Sequence, residues 1–317
     1  MRLSLSLIIA ASLWCIQASA SGFPVTIDNC GTPETFDHAP IHAVSNDVNI
    51  TETMLALDLQ DHMAGFSSIS GWNKITPELR GRLGRVPELS RKYPSLEVLL
   101  GAKADFYFAG WNYGMRVGGD VTPETLAPYG IKSYAIRESC VHLGPRPPST
   151  LDDMEQDTLA IGRIFGVEAR AKALIEGFEA RVAAVAERLH GAEPVRVFVY
   201  DSGEDSPVTA GGNAMPTALI AAAGGRNVMD DVANSWARVS WETVVARDPA
   251  FILIVDYAET TPEQKIAYLK GSPALARIDA VRHDRFVVIP YDAATPGVRN
   301  IGAVEALARA FHPDRFP

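Results

Sequence analysis

The chain has 317 residues, and its 38 acidic side chains outnumber its 29 basic ones, so its formal net charge is −9 at pH 7. This acidic balance argues against nucleic acid and anionic membrane surfaces as partners. A chain of this length buries a substantial core and normally divides into two domains.

Residues 1–20 have the pattern of a cleaved signal peptide. Arg2 gives a positive start, and the apolar stretch from 3 to 13 is too short to span a bilayer. Ala18-Ser19-Ala20 matches a cleavage site of small residues. We therefore expect an exported mature chain that begins near Ser21.

Three cysteines occur in the chain. Lipid anchoring at Cys15 is the alternative to a free mature protein, but Trp14 stands where such a site needs a small residue. Cys30 and Cys140 remain after the leader is removed, and an oxidising compartment favours one disulfide between them. Two unpaired buried thiols are the alternative.

Strands and helices alternate through the first part of the mature chain. This alternation predicts a mainly parallel sheet covered by helices on both faces. We predict strands at 41–44, 63–67 and 131–136, and helices at 50–59, 77–83 and 123–129.

The middle of the chain is helical. A helix capped by Ser149 or Thr150 should run to about residue 165, and a second should extend from Glu168 to His190, where Gly191 ends it. The second helix has an apolar stripe and would be roughly 34 Å long at ~1.5 Å per residue, so we expect it to join two lobes. The predicted units are an N-terminal lobe at 21–165, a linking helix at 166–191 and a C-terminal lobe at 192–317.

The alternation of strands and helices resumes after the long helix. This second run again predicts a parallel sheet with helical cover. We predict strands at 195–200 and 286–290, and helices at 214–223, 262–269, 273–281 and 300–311.

One passage occurs twice without gaps, at 95–110 and at 240–255. Each copy predicts a serine cap, a glutamate in the first helical turn, two turns of apolar helix and a buried strand. Two equivalent units indicate two similar lobes. Helix capping explains the glutamates Glu97 and Glu242, but two fixed negative charges could also dock two arginine sites on a symmetric membrane partner.

Aromatic residues cluster near the ends of the predicted strands. Ligands of open α/β sheets bind beyond the carboxyl ends of the strands, and aromatic faces suit a large planar or partly apolar ligand. Ordinary packing is the alternative for each residue. The candidates for ligand binding are Trp72, Trp111, Tyr113, Trp236, Tyr257 and Tyr291.

Four arginines lie near the same strand ends. The planar guanidinium suits carboxylate and phosphate groups, so these residues could meet an anionic ligand. A solvated surface charge is the alternative for each. The four are Arg116, Arg137, Arg238 and Arg299, and we count Arg116, Arg238 and Arg299 among the ligand-binding candidates.

Motifs for catalysis and metal binding are missing from the sequence. The seven histidines are scattered, and no Cys/His cluster has zinc spacing. The chain has no G-x-S-x-G elbow, no Walker loop and no dinucleotide fingerprint in a strand–helix setting. We therefore expect a binding protein without a cofactor or a bare metal ion, rather than an enzyme.

Several segments together resemble one known family. Val25–Phe36 is similar to its N-terminal hairpin, Asn49–Leu57 to its first helix, and 208–212 with 224–228 to the start of its second lobe. Both copies of the repeat match the segments that carry that family's docking glutamates. On these motifs the chain resembles the periplasmic binding proteins of the iron-siderophore and vitamin B12 class, which serve ABC importers.

The resemblance implies a fold, a compartment and partners. The fold would be two α/β lobes with mainly parallel sheets, joined by one long rigid helix, with the ligand cleft between the lobes. The protein would be a periplasmic monomer that delivers its ligand to an ABC permease dimer in the inner membrane. Glu97 and Glu242 would dock that permease, and Trp111 and Trp236 would lie in the cleft.

The resemblance leaves two ligand classes open. The basic residues near the cleft favour a ferric siderophore or a related metal chelate, which we rank first. Trp111 and Trp236 favour the alternative, a corrinoid of the vitamin B12 type, because a flat macrocycle packs well against aromatic rings. The Cys30 and Cys140 pair departs from many members of the family.

Overall fold

Residues 22–72 and 75–317 are described by the computed structural model, and they form two α/β lobes. The predicted leader at 1–20 and Cys15 lie outside these residues. The strands of the first lobe are β1 (Val25–Asn29), β2 (Thr32–Phe36), β3 (Ala43–Asn46), β4 (Met63–Ser67), β5 (Glu88–Ser90), β6 (Phe106–Trp111), β7 (Gly114–Met115) and β8 (Lys132–Ala135). Its helices are α1 (Val48–Ala56), α2 (Pro77–Leu83), α3 (Leu96–Gly101), α4 (Pro123–Leu126) and α5 (Leu151–Ile164).

The sheet of the first lobe is parallel. Its strands lie in the order β5-β4-β3-β6-β8, with the short β7 paired to the end of β6. β1 and β2 form a separate antiparallel hairpin. All six residues of β6 are buried, as a central strand covered on both faces requires.

One long helix, α6 (Glu168–Arg188), contacts the cores of both lobes. Ala171 packs in the core of the first lobe, whereas Phe178 and Val185 pack in the core of the second. Leu174 lies between them and packs against both cores. The prediction of a long helix that joins the lobes is confirmed. Within 22–72 and 75–317, every helix is too short or too polar to serve as a membrane span.

The second lobe also has a parallel sheet. Its strands are β9 (Val195–Tyr200), β10 (Val208–Ala210), β11 (Gly225–Asn227), β12 (Trp236–Arg238), β13 (Phe251–Asp256) and β14 (Phe286–Pro290). Its helices are α7 (Met215–Ala222), α8 (Trp241–Arg247), α9 (Pro262–Gly271), α10 (Asp279–Arg282), α11 (Tyr291–Ala294) and α12 (Asn300–Phe311). The sheet order is β11-β9-β13-β14, while β10 and β12 pair as an antiparallel ribbon.

A Thr-Pro pair starts three of the helices. Thr76, Thr122 and Thr261 precede α2, α4 and α9, and each hydroxyl accepts the backbone N–H three residues on. Proline fits the first helical position because the N–H that it lacks would have no partner within the helix. Local sequence therefore sets where these helices begin.

Both copies of the repeat adopt equivalent positions. α3 leads into β6, which lies between β3 and β8, and α8 leads into β13, which lies between β9 and β14. Each copy thus supplies an inner strand of its sheet. The prediction of two similar α/β lobes is confirmed.

The predicted helix at 273–281 is wrong in its extent. The observed helix covers only Asp279–Arg282, and the residues before it form turns with bonds between residues three apart. Ile278 is extended and buried in the core, which interrupts the helical path. The Asp248 carboxylate then accepts the Asp279 N–H at 2.8 Å and sets where the helix begins.

The predicted disulfide between Cys30 and Cys140 is confirmed, with the two Cα atoms 5.4 Å apart. It links the turn between β1 and β2 to the 3-10 turn Arg137–His142. The hairpin and this turn are otherwise separated by 110 positions of sequence.

Removal of the disulfide should lower stability. A cross-link that closes a loop of this length restricts the unfolded chain, and such bonds contribute about 2–5 kcal/mol. We expect Cys30→Ser with Cys140→Ser to lower the free energy of unfolding by that amount in urea titrations.

Mass analysis of the unreduced mature protein should find no alkylatable thiol, and two free thiols would contradict the bond.

Candidate functional site

A cavity of about 190 Å³ lies between the lobes, where the carboxyl ends of the two parallel sheets meet. The segments after β3 and β4 and the start of α2 line it from the first lobe, and the segments after β13 and β14 line it from the second. This is the edge at which open α/β sheets bind ligands. We call it the interlobe cavity, and its aromatic and charged lining residues are Trp72, Asp256, Tyr257, Tyr291, Asp292 and Arg299.

Aromatic rings form one wall of the interlobe cavity. Tyr257 and Tyr291 are stacked, with ring centroids 4.7 Å apart and planes at 24°. Trp72 faces them from the other lobe, is 36% exposed and donates its indole N–H to the Ser68 hydroxyl at 3.1 Å. The Lys92 ammonium lies 4.8 Å from the Trp72 ring. This wall offers flat apolar faces to a ligand.

Arg299 is paired with carboxylates from both lobes. Its guanidinium forms a two-bonded pair with the fully buried Glu52 of α1, at 2.6 Å to each oxygen. It also lies 3.1 Å from Asp292 and 3.8 Å from Glu78. The Glu52 pairing raises the pKa of Arg299, so the residue stays charged, but its positive charge is already matched.

Asp47 joins the lobes at the base of α1. Its carboxylate accepts the Val48 N–H at 2.8 Å and the hydroxyl of Tyr291, from the second lobe, at 2.9 Å. Its φ of 72° is uncommon for a residue with a side chain, and such backbone often marks a functional site. Burial raises the pKa of Asp47 to about 6.

Glu138 forms a second polar contact between the lobes. It is fully buried, and its carboxylate accepts hydrogen bonds from Tyr113 at 3.1 Å, Ser235 at 2.6 Å and the backbone N–H of Met215 at 2.8 Å. Tyr113 belongs to the first lobe, while Ser235 and Met215 belong to the second. Burial raises the pKa of Glu138 to about 7.

The other predicted aromatic residues lie outside the wall of the interlobe cavity. Trp111 is 5% exposed and packs in the apolar cluster around β6. Tyr113 is equally buried, and its hydroxyl oxygen accepts the indole N–H of the half-buried Trp236 at 3.1 Å. The ring of Trp111 lies inside the first lobe. Its role as a cleft residue stays a prediction.

The two other arginine candidates are exposed. The Arg116 guanidinium lies 5.9 Å from the Tyr93 ring, and Arg238 donates to the Ser206 carbonyl at 3.0 Å. Neither lines the interlobe cavity. The structure therefore brings together four of the nine predicted ligand-binding residues around that cavity: Trp72, Tyr257, Tyr291 and Arg299.

Glu97 and Glu242 occupy the first turns of α3 and α8, and both are exposed. Hydrogen bonding from Ser95 lowers the pKa of Glu97, and bonds from its own backbone N–H and from Ser240 lower the pKa of Glu242. Both carboxylates are therefore charged at neutral pH. Their role in docking stays a prediction.

The first turns of α3 and α8 lie toward the carboxyl-end edge of their sheets. Near α3, the Tyr93 hydroxyl donates to the carbonyl of Asn112, which follows β6. In α8, the Trp241 indole donates to the carbonyl of Glu204, which follows β9. The predicted serine cap is present in α8, where the Ser240 hydroxyl accepts the Thr243 N–H, but Ser95 makes no such bond in α3.

Asp47 and Glu138 were not predicted as site residues. The sequence signal for Asp47 is an acidic residue between a strand and a helix, which is common at helix starts. Glu138 stands in Glu138-Ser139-Cys140, two positions from a disulfide cysteine. Neither signal shows that the partner lies in the other lobe. In the part of the chain that the structure describes, no group of three or more His, Cys, Asp or Glu could hold a metal ion.

Comparison with known sequences identifies related proteins. A family model described as periplasmic binding protein matches residues 44–293. A cobalamin-binding protein from Halobacterium salinarum strain R1 is 26% identical over 297 residues, which cover 92% of this chain and 75% of that protein.

Comparison with solved structures supports the fold. A periplasmic binding protein from Veillonella parvula has 31% identity and a TM-score of 0.79, covering 91% of this chain and 97% of that one. An ABC-type Fe3+-hydroxamate transport protein from Saccharomonospora viridis has 24% identity and a TM-score of 0.78, covering 91% and 99%. A periplasmic heme-binding protein from Roseiflexus sp. RS-1 has 24% identity and a TM-score of 0.68, covering 87% and 100%.

Breaking the Glu52–Arg299 pair should lower the free energy of unfolding. Arg299→Met leaves the buried Glu52 carboxylate without its main partner, and such losses cost about 3–5 kcal/mol. The double variant Glu52→Gln with Arg299→Met should recover most of this loss. Urea unfolding of the four proteins of the cycle gives the coupling free energy.

A matched control for this pair is Arg181 with Glu305, which joins α6 to α12 through two 2.9 Å bonds but is exposed. Arg181→Met should cost about 1 kcal/mol or less, because solvent screens an exposed pair. Equal losses in the two single variants would contradict the buried, interlobe role of Arg299.

Stability should fall as the pH rises from 5 to 8.5. Burial raises the pKa of Asp47 and Asp292 to about 6, of Glu138 to about 7 and of Asp157 to about 8. The folded protein therefore holds these protons more tightly than the unfolded chain, so the stabilisation present at low pH is lost as each group ionises. Burial also raises the pKa of Glu155 to about 7. Burial lowers the pKa of His142 and of Lys265, so among the described residues these two groups act in the opposite direction. Thermal unfolding midpoints across this range test the direction.

Asp157→Asn should flatten the upper part of this profile. Among these carboxyls Asp157 has the largest rise in pKa, and each linked proton contributes about 1.4 kcal/mol per pH unit. The control is Glu97→Gln, which removes an exposed carboxyl that stays ionised throughout this range. A midpoint that rises between pH 5 and 8.5 would show that the buried carboxyls do not govern the profile.

Proposed function

We propose that this chain, which belongs to the periplasmic binding protein family, binds a corrinoid between its lobes and delivers it to the permease of an ABC importer. The family consists of solute-binding proteins, so no catalytic step is involved. The observation that carries the choice of ligand is the character of the interlobe cavity. Its described lining has an aromatic wall and carboxylates, and the arginine there, Arg299, is matched by carboxylates.

The charges around the interlobe cavity favour a neutral or cationic ligand. Asp256 and Asp292 line it, and Asp47 lies directly behind Tyr291. The one lining arginine, Arg299, is held by Glu52 and Asp292. Lys92 adds one positive charge beside Trp72, but the described carboxylates around the cavity outnumber it once Arg299 is paired. An anionic ferric chelate would therefore meet more like than opposite charge, which is unfavourable.

A corrinoid suits both features of the cavity. Its ring is a flat macrocycle that can lie against the stacked Tyr257 and Tyr291 and against Trp72. Its amide side chains can donate hydrogen bonds to the Asp256 and Asp292 carboxylates. The 26% identity with a cobalamin-binding protein, over 92% of this chain, supports the same ligand class.

The interlobe cavity is smaller than the ligand proposed for it. Pockets for drug-sized molecules measure ~300–1,000 Å³, whereas this cavity has about 190 Å³. Binding therefore requires the lobes to separate from the arrangement described here. The hydrogen bonds that cross the interface, such as Tyr291 to Asp47, are the contacts that separation would break.

A ferric siderophore remains the second candidate, for one reason. Arg116 and Arg238 are exposed and have no carboxylate partner among the described ion pairs. If the lobes open, these two guanidiniums could meet an anionic chelate at the edge of the cleft. Direct titration separates the two ligand classes.

Calorimetric titration of the mature protein is the test of ligand class. The probes are cyanocobalamin, cobinamide, a ferric trihydroxamate, a ferric tricatecholate and hemin. We expect saturable binding of the corrinoids alone. Binding of a ferric chelate without binding of either corrinoid would overturn the corrinoid assignment in favour of the second candidate.

Loss of the aromatic wall should weaken corrinoid binding. Tyr257→Ala removes one ring of the stacked pair, and aromatic contacts contribute ~0.5–1.5 kcal/mol beyond buried area. We therefore expect the dissociation constant to rise about twofold to thirteenfold. The control is Tyr129→Ala, at a tyrosine that is 55% exposed and outside the cavity. Equal affinities for the two variants would contradict the proposed wall.

We propose that Glu97 and Glu242 dock the permease. The double variant Glu97→Ala with Glu242→Ala should keep its corrinoid affinity and lose corrinoid uptake by cells that carry the cognate transporter. The control is Glu124→Ala, another exposed first-turn glutamate. Undiminished uptake with the double variant would argue against docking through these residues.

We also propose export to the periplasm through the leader at 1–20. The mature protein should then start near Ser21, and its N-terminal sequence can be read from protein secreted by cells that express the full chain. A chain that retains Met1, or one that carries lipid on Cys15, would argue against a free periplasmic form.

A further inference from the structure

Glu138 is held in a turn that two separate bonds fix in place. The turn, Arg137–His142, follows β8 and carries Cys140, which is bonded to Cys30. At its start, the Asp157 carboxylate of α5 accepts the Arg137 N–H at 3.1 and 3.2 Å. The position of the Glu138 carboxylate is therefore set by the first lobe.

The partners of Glu138 span the interface. In the second lobe, Ser235 donates to it at 2.6 Å, and so does the N–H of Met215, the first residue of α7, at 2.8 Å. In the first lobe, the Tyr113 hydroxyl donates to it at 3.1 Å and in turn accepts the Trp236 indole N–H at 3.1 Å. We call Glu138, Tyr113 and Trp236 the carboxylate relay.

The relay ends at the interface between the lobes. The Trp236 indole of the second lobe reaches the Tyr113 hydroxyl of the first lobe, at 3.1 Å. Trp236 packs against the apolar core of the second lobe, as Tyr257 and Tyr291 also do. The orientation of the Trp236 ring therefore depends on a bond to the opposite lobe.

Joining two lobes through a buried carboxylate costs free energy. Removing its charge from water is unfavourable unless the charge is well hydrogen-bonded, and an apolar side chain could fill the same space. The three donors satisfy Glu138 only when the two lobes and the Tyr113 ring have one relative arrangement. Directional bonds of this kind select a single geometry, which apolar contacts do not.

We propose that Glu138 is a positioning residue: it joins the lobes and, through Tyr113, holds the Trp236 indole in the orientation that receives the ligand. This inference rests on the proposed function, because it assigns a binding role to Trp236. It also assigns a task to the disulfide, which keeps the Glu138 turn in place.

The test uses variants that remove single hydroxyl groups. Tyr113→Phe breaks the relay and keeps the ring, and Ser235→Ala removes only a bond from the second lobe. The matched control is Tyr200→Phe, at a buried tyrosine of the second lobe, whose hydroxyl donates at 3.1 Å to the Gly203 carbonyl. Tyr113→Phe and Tyr200→Phe each remove one hydroxyl hydrogen bond, but the bond of Tyr200 lies within a single lobe and does not involve the Glu138 turn.

Three measurements are made on each mature protein. Small-angle scattering without ligand reports lobe separation, and acrylamide quenching reports exposure of Trp236, with Trp236→Phe as the reference that isolates its signal. Titration with cyanocobalamin gives the dissociation constant. We expect Tyr113→Phe to increase Trp236 quenching and to raise the dissociation constant between about threefold and tenfold, and Ser235→Ala to increase the radius of gyration.

The control separates positioning from simple stabilisation. Tyr200→Phe should lower the unfolding midpoint and leave quenching, scattering and affinity as in the wild type. Wild-type values of quenching and scattering in both Tyr113→Phe and Ser235→Ala would overturn the proposal, and so would equal changes in Tyr200→Phe. If cyanocobalamin binds to none of the proteins, the proposed function fails, while quenching and scattering still decide whether the relay positions Trp236.

Discussion

Carboxylates that bond to groups of the opposite lobe hold the two lobes of this protein in one relative arrangement. Glu52 pairs with Arg299, Asp47 accepts from Tyr291, and Glu138 accepts from Ser235. Each carboxylate is buried, so each depends on partners from the opposite lobe to offset the loss of its hydration. The interface is therefore specific in geometry.

This polar interface also determines the chemistry of the cleft. Because Glu52 occupies both bonding edges of Arg299, the cavity has lost the positive charge that the sequence suggested for it. The remaining character is aromatic and acidic, from Tyr257, Tyr291 and Asp292. The same contacts that bring the lobes together are thus the reason to propose a neutral or cationic macrocycle as the ligand, rather than an anionic chelate.

The fold could be predicted largely because its signals are local. The Thr-Pro starts, the glycine after the long helix and the apolar stripe along α6 each act within a few turns. The helix at 273–281 was predicted too long because a side chain from far along the chain, Asp248, sets its true start at Asp279. The short strands β10 and β12 were missed, since three residues give too little periodicity to detect.

By itself, the sequence determined the order of the elements and the two copies of the repeat, because these follow from neighbouring residues. It favoured the disulfide, since the mature chain offers no other cysteine, and it offered nine candidates for the cleft. Only the tertiary structure decided which four of them line the cavity, which charges are matched and which lobe supplies each partner. Arg299 and Glu52 are 247 positions apart, and Tyr291 and Asp47 are 244 apart. No local pattern encodes such pairs, because they form only after both sheets bring their carboxyl ends together.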